Sequence, residues 1–226
     1  MAQVWRGTDE ILRRAIAIKV LHPHLTTDET FVARFRQEAI AVAKLSHHAI
    51  VSVYDTCSDN GVEAIVMELI TGKTLRQRLD AGPLDPWEAA GIATQVAGAQ
   101  EIAHASGLVH RDIKPANLAA RPRSGDSQMH LCLFDFSLAG VSVNDLAAGT
   151  PRYLDPFLGA PQRPVYDDHA ERYAVAVTLH EMASGELPVW GVGRTVPRFS
   201  EGPPRLAAEA IDRVVREGLG DFFERA

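Results

Sequence analysis

His110-Arg111-Asp112-Ile113-Lys114-Pro115-Ala116-Asn117 is the stretch on which the reading of this chain turns. It sets a carboxylate, an ammonium and an amide close together in a loop that Pro115 stiffens by fixing its backbone φ. That set suits transfer of a phosphoryl group to a hydroxyl. Asp112 can orient the hydroxyl and accept its proton, while Lys114 can neutralise charge on the group in transit. Asn117 offers a hard oxygen to a magnesium ion. Further on, the apolar run Leu131-Cys132-Leu133-Phe134 delivers Asp135 from the end of a strand. A lone carboxylate there would be unremarkable, but behind such a loop it is a candidate metal ligand.

Upstream, Ala15-Ile16-Ala17-Ile18-Lys19-Val20-Leu21 reads as a mostly buried strand with one lysine inside it. A buried ammonium is costly unless it is paired. Phe31, Phe35, Glu38, Val42 and Leu45 recur at helical spacing over residues 30–45, so Glu38 stands on the inward stripe of a helix and can serve as that partner. Alone, such a pair could merely tie helix to sheet. Combined with the loop 110–117, it leaves Lys19 poised over the non-transferred phosphates of a nucleotide.

Two further apolar runs, residues 50–56 and 62–69, flank Ser58-Asp59-Asn60-Gly61, a hairpin signal. The chain then turns helical. A short polar helix is expected within 72–82, and an Ala-rich helix over 85–106 stopped by Gly107. Leu118, Met129, Leu131 and Leu133 mark short strands around a polar loop, 121–128. An apolar helix over 170–184 ends at Gly185, residues 191–204 look irregular, and an amphipathic helix is expected from Ala207 onward. The fold class is therefore α+β in two lobes, a small antiparallel sheet with one helix and a mainly helical partner, with the boundary inside 70–82.

Hydrophobic residues at 46% and charged residues at 23% exclude wholesale disorder. A net charge of −6 argues against a broad nucleic-acid footprint, and no nucleic-acid partner is expected. Cys57 and Cys132 lack metal-ligand spacing and fit a reducing cytoplasm. The opening residues show no signal-peptide pattern, and nothing approaches the ~20 apolar residues of a membrane span. His180-Glu181 lacks the second histidine of a zinc helix and reads as packing or surface.

Taken together, these motifs resemble the eukaryotic-type Ser/Thr protein kinases of bacteria. Ala17-Ile18-Lys19 is similar to the family's strand lysine motif, Glu38 to its helix glutamate, and residues 110–117 to its catalytic loop. Asp135-Phe136-Ser137 resembles the magnesium-binding Asp-Phe-Gly. Gly149-Thr150-Pro151 with Tyr153 resembles the loop that receives the substrate peptide. Val66-Met67-Glu68-Leu69-Ile70 resembles the hinge, with Met67 as gatekeeper and the backbone of Glu68 and Ile70 facing adenine. By the same resemblance Val4, Ala17 and Ala119 line the adenine slot. It implies a kinase fold, ATP with magnesium or manganese as cofactors, and a protein partner offering a Ser or Thr hydroxyl. Lys114 favours that substrate over a small molecule. The alternative, from another class, is a kinase-fold module that binds nucleotide or partners without catalysis. The complete loop 110–117 weighs against it. Oligomeric state is left open.

The domain is expected to run over 1–226, with lobes at about 1–70 and about 71–226. Against the family pattern, the first strand, most of the Gly-rich phosphate lid and the last helices are missing. Ser137 stands where the family has glycine, which points to reduced mobility with metal binding kept. Asp155-Pro156-Phe157 stands where Ala-Pro-Glu is expected, so the substrate loop needs another anchor or has none. Glu171 replaces the aspartate that braces the catalytic loop, with the same charge and one more methylene. Arg111 ordinarily meets a phosphorylated activation segment in this family, but residues 138–148 offer only Ser142 as a hydroxyl. Thr150 is expected to touch Asp112 and Lys114.

Overall fold

The computed structural model describes residues 2–121, 130–139, 141–191 and 202–225. Its first lobe is a four-stranded antiparallel sheet of β1 (Ala2–Asp9), β2 (Arg14–Leu21), β3 (Val53–Asp59) and β4 (Val62–Glu68), in the order β1-β2-β4-β3. β2 is an interior strand, as its apolar run requires, and it buries Ile16, Ala17, Lys19 and Leu21. Between β3 and β4, Asn60 and Gly61 take φ of 49° and 77°, the left-handed pair a two-residue hairpin needs. Helix α1 (Glu29–Ala43) starts at Asp28, whose carboxylate accepts Thr30 N–H at 2.8 Å. Its Phe35 and Ala39 close a small core with Leu21 and Ile65, which turns the neighbouring Glu38 toward the sheet.

In the second lobe, α2 (Leu75–Leu79) opens with a capping box between Thr74 and Gln77. Helix α3 (Pro86–Ala105) is capped by Asp85 and followed by Gly107 at φ 72°. Strands β5 (Leu118–Arg121) and β6 (His130–Leu133) pair antiparallel. Helix α4 (Asp168–Ser184) is buried throughout its second half, over residues 176–184, and ends at Gly185, φ 78°. The main core joins Ile92, Val96, Ile113, Leu131, Phe136 and Met182. Among the described residues, no helix is long and apolar enough to cross a membrane.

Two expectations need correction. The strand anticipated from residue 50 begins at Val53, because residues 49–51 pair instead with β6. Leu133 N–H donates to Ala49 O at 2.8 Å and Val51 N–H to Leu133 O at 3.0 Å, stitching one lobe to the other. The helix anticipated from Ala207 begins only at Arg216, as α5 (Arg216–Arg225), after a single tight turn over Ala208–Ala210. The Arg216 guanidinium donates to the carbonyls of Glu209 and Ile211, closing the segment before the helix onto itself. The anticipated loop beyond Arg121, the strand position Met129 and most of the irregular 191–204 lie outside the described residues.

Candidate active site

A cavity of about 450 Å³ opens between the lobes. Val4, Ala17, Met67, Glu68, Ile70 and Ala119 all line it, as do Lys19, Glu38 and Asp135. Sheet register explains the roof: Ala17 pairs with Met67 and Val4 with Lys19, so alternate residues of β2 face the same space. Sequence reasoning missed Val51, Val53, Phe134 and Gly72 as lining residues. Gly72 could have been noticed as the glycine following the hinge. A Cβ there would stand 1.8 Å from the Ala120 carbonyl oxygen, so this close approach of linker to β5 admits no side chain. Glu68 adds a second tie, since its carboxylate meets Arg121 of β5 at 2.6 Å.

Lys19 Nζ lies 2.7 Å from Glu38 Oε1 and 2.9 Å from Asp135 Oδ1. Lys19 and Glu38 are 7% and 8% exposed, so neither charge has water to fall back on. Burial works against the ammonium, but the two carboxylates together hold its pKa above the ordinary lysine range. Burial likewise works against the Asp135 carboxylate, and Lys19 holds its pKa below the ordinary range. Asp135 takes φ 64°, a left-handed turn unusual outside glycine, and only Phe134 separates it from the end of β6. Ser137, by contrast, keeps a negative φ. Serine therefore stands here in place of glycine without left-handed backbone.

The catalytic-loop candidates converge on one carboxylate. Asp112 Oδ2 accepts from Lys114 Nζ at 2.6 Å and from Asn117 Nδ2 at 3.0 Å. Asp112 Oδ1 accepts from Thr150 Oγ1 at 2.6 Å, and Lys114 also donates to Thr150 Oγ1 at 2.6 Å. Thr150 thus touches both partners, as anticipated. The Asn117 amide nitrogen donates a second bond to Asp112 O at 2.8 Å, which spends both of its hydrogens and leaves its oxygen for another ligand. Phe134 N–H donates to Asn117 O at 3.1 Å, setting Asn117 next to the strand end that carries Asp135. Hard oxygens from Asn117 and Asp135 on adjoining backbones fit a magnesium ion.

His110 joins these pieces, a role its sequence gives no sign of. Its Nδ1 accepts from Asp112 N–H at 3.2 Å, which assigns the proton to Nε2, 3.0 Å from Phe134 O. Burial pushes the imidazole pKa down, in keeping with the neutral ring this pattern needs. Glu171 is wholly buried and bridges two elements: Oε1 accepts Arg111 N–H at 2.7 Å and Oε2 lies 2.5 Å from His104 Nε2. The extra methylene is used to span both.

The substrate-loop candidate has its own anchors. The buried Asp155 carboxylate meets the Arg163 guanidinium and accepts Phe157 N–H at 2.9 Å. Tyr153 Oη donates to Glu181 Oε2 at 2.6 Å, and Arg76 holds the other oxygen of that carboxylate. Reading His180-Glu181 as mere packing or surface therefore needs correction for Glu181.

A model of the protein kinase domain matches residues 1–200. A probable kinase, PglW of Streptomyces coelicolor, is 41% identical over 225 residues, covering 96% of this chain and 14% of its own length. The serine/threonine-protein kinase PknL of Mycobacterium tuberculosis is 38% identical, covering 93% of this chain and 53% of its own length. The serine/threonine-protein kinase PrkC of Bacillus subtilis is 34% identical over 198 residues, covering 84% of this chain and 30% of its own length. The chain thus spans about half or less of each of these relatives. A kinase-domain match over 1–200, on a chain whose lobes meet around Lys19, Asp112 and Asp135, leaves one assignment: the chain belongs to the protein kinase domain family.

Proposed function

We propose that this chain is an ATP- and magnesium-dependent protein kinase that transfers the γ-phosphoryl group of ATP to Ser or Thr hydroxyls of a protein. The observation that carries the reading is the Asp112 carboxylate held at once by Lys114, Asn117 and Thr150. A scaffold that only bound partners would have no physical use for that arrangement beside Lys19 and Asp135. The kinase names of the bacterial relatives support the same activity.

The roles follow from chemistry and position. Val4, Ala17, Met67, Ala119 and the Glu68–Ile70 backbone take the adenine, and Lys19, held by Glu38, binds the non-transferred phosphates. Asn117 and Asp135 hold the metal, which supplies charge neutralisation on the phosphates when bound. Asp112 orients the acceptor hydroxyl and takes its proton as that oxygen bonds to phosphorus and the ADP oxygen leaves. Lys114 stands against the charge that develops on the group in transit. We assign the reaction to the cytoplasm, where ATP and magnesium are at hand.

The test is transfer from radiolabelled ATP to a mixed protein substrate by purified chain, with the label then assigned to amino acids. Label on Ser and Thr that disappears with chelator is the expected result. A folded chain that binds ATP and transfers nothing would instead establish a binding module.

A further inference from the structure

Arg111 is 2% exposed and has no carboxylate on its guanidinium among the described residues. Its Nη1 donates to Val141 O at 2.9 Å and Ser142 O at 2.6 Å, and its Nη2 donates to Asp145 O. The Tyr166 ring covers its face, with Cζ 4.5 Å from the ring centroid. Tyr166 is itself buried, and its N–H donates to Val143 O at 2.9 Å. Four carbonyls of residues 141–145 are thereby held by these two residues.

Burying a cation normally calls for an anion. Here carbonyl dipoles and an aromatic face stand in for it. A phosphate brought to this guanidinium would have to displace the carbonyls of Val141, Ser142 and Asp145, which already take up its Nη1 and Nη2. The candidate bearer of a phosphate in this segment meets Arg111 through its main chain, while its Oγ accepts Asn144 N–H at 3.3 Å. Ser142 is the only hydroxyl in 138–148, yet its carbonyl points at Arg111 while the residue is exposed. Thr150 is already committed to Asp112 and Lys114.

We propose that Arg111 and Tyr166 are positioning residues that hold segment 141–145, which leads into the substrate-loop candidate at Gly149, in place without phosphorylation. Only the kinetic half of the test rests on the kinase reading. Hydrogen exchange on the full chain needs no turnover, and the Asp145 and Tyr166 amides, bonded to Ser142 O and Val143 O, report the segment directly.

Arg111→Lys keeps the charge but cannot span three carbonyls. It should speed exchange at both amides by about tenfold or more while α3 amides are unchanged. Tyr166→Leu should do the same, and Tyr166→Phe should restore protection. In turnover, Arg111→Lys should raise the peptide KM roughly fivefold with the ATP KM within about twofold. Phosphatase-treated chain and Ser142→Ala should match the untreated protein in both exchange and turnover. The proposal is overturned if phosphatase or Ser142→Ala opens the segment. It is equally overturned if Arg111→Lys and Tyr166→Leu both leave exchange unchanged. A chain with protected amides and no transfer to any peptide would instead contradict the kinase reading alone.

Discussion

Lys19 Nζ sits 2.7 Å from Glu38 Oε1 and only slightly farther, at 2.9 Å, from Asp135 Oδ1, so one ammonium answers two carboxylates. The pair is unequal. Among the described residues Glu38 is held by Lys19 alone, whereas Lys19 has a second anion if Glu38 is neutralised. Lys19→Met should therefore cost about 3 kcal/mol, because it strands a buried carboxylate. Glu38→Gln should cost only about 1 kcal/mol, the scale of one charge-assisted bond. Urea unfolding of both variants checks this, and equal costs would mean the second carboxylate contributes nothing.

Glu171 reaches both Arg111 N–H and His104 Nε2 because its side chain is one methylene longer than aspartate. Glu171→Asp should lose one of the two contacts and about 1–3 kcal/mol of stability, the cost of leaving a buried group unpaired. Urea unfolding reads the difference. An aspartate variant as stable as the parent would show that the long reach is not needed.

The same carboxylate makes a pH-dependent contact. Its hydrogen bond to His104 raises the imidazole pKa above the ordinary value, against the opposing pull of burial. A group whose pKa is higher in the folded state contributes stability that is complete below the unfolded value of about 6.5. That contribution is lost as pH rises through the folded value. Between about pH 6 and about pH 9 the parent's melting temperature should fall more than that of His104→Gln. Parallel melting curves would remove the ion pair from the account of stability.

Gly72 is where the linker touches the second lobe, with Ala120 N–H donating to Lys73 O at 2.9 Å beside it. Gly72→Ala would place a methyl 1.8 Å from Ala120 O, which no rotamer can relieve. A loss of about 2 kcal/mol or more is expected, with weakened nucleotide binding as the lobes separate. Calorimetry of folding and of nucleotide binding tests both, and a variant normal in each would mean the linker moves freely.

Much of this was legible because period and polarity coincide. Helix α1 could be read from Phe35, Glu38 and Val42, and the single acidic residue on that stripe named the partner of a buried lysine 19 positions away. The contact of Thr150 with Asp112 and Lys114 followed from the family likeness. Asp135 reaching the same ammonium lies 116 positions away and carries no local signal. The pairing of residues 49–51 with β6 was illegible for a related reason: an apolar run declares a strand but does not name its neighbour. The overlong C-terminal helix came from apolar spacing that continues through the turn at Ala208–Ala210. Arg163 was out of reach as the partner of Asp155, because an arginine in sequence does not name its carboxylate. The carbonyls for Arg111 were out of reach because main-chain acceptors leave no mark on composition.

Asp112→Asn bears on the proposed reaction at its key group, since it keeps the shape of the side chain while removing its ability to take a proton. Phosphate transfer to protein should fall by roughly 10²–10⁴, with ATP affinity changed by no more than about threefold. Turnover equal to that of the parent chain would contradict the role of Asp112 and with it the proposed reaction.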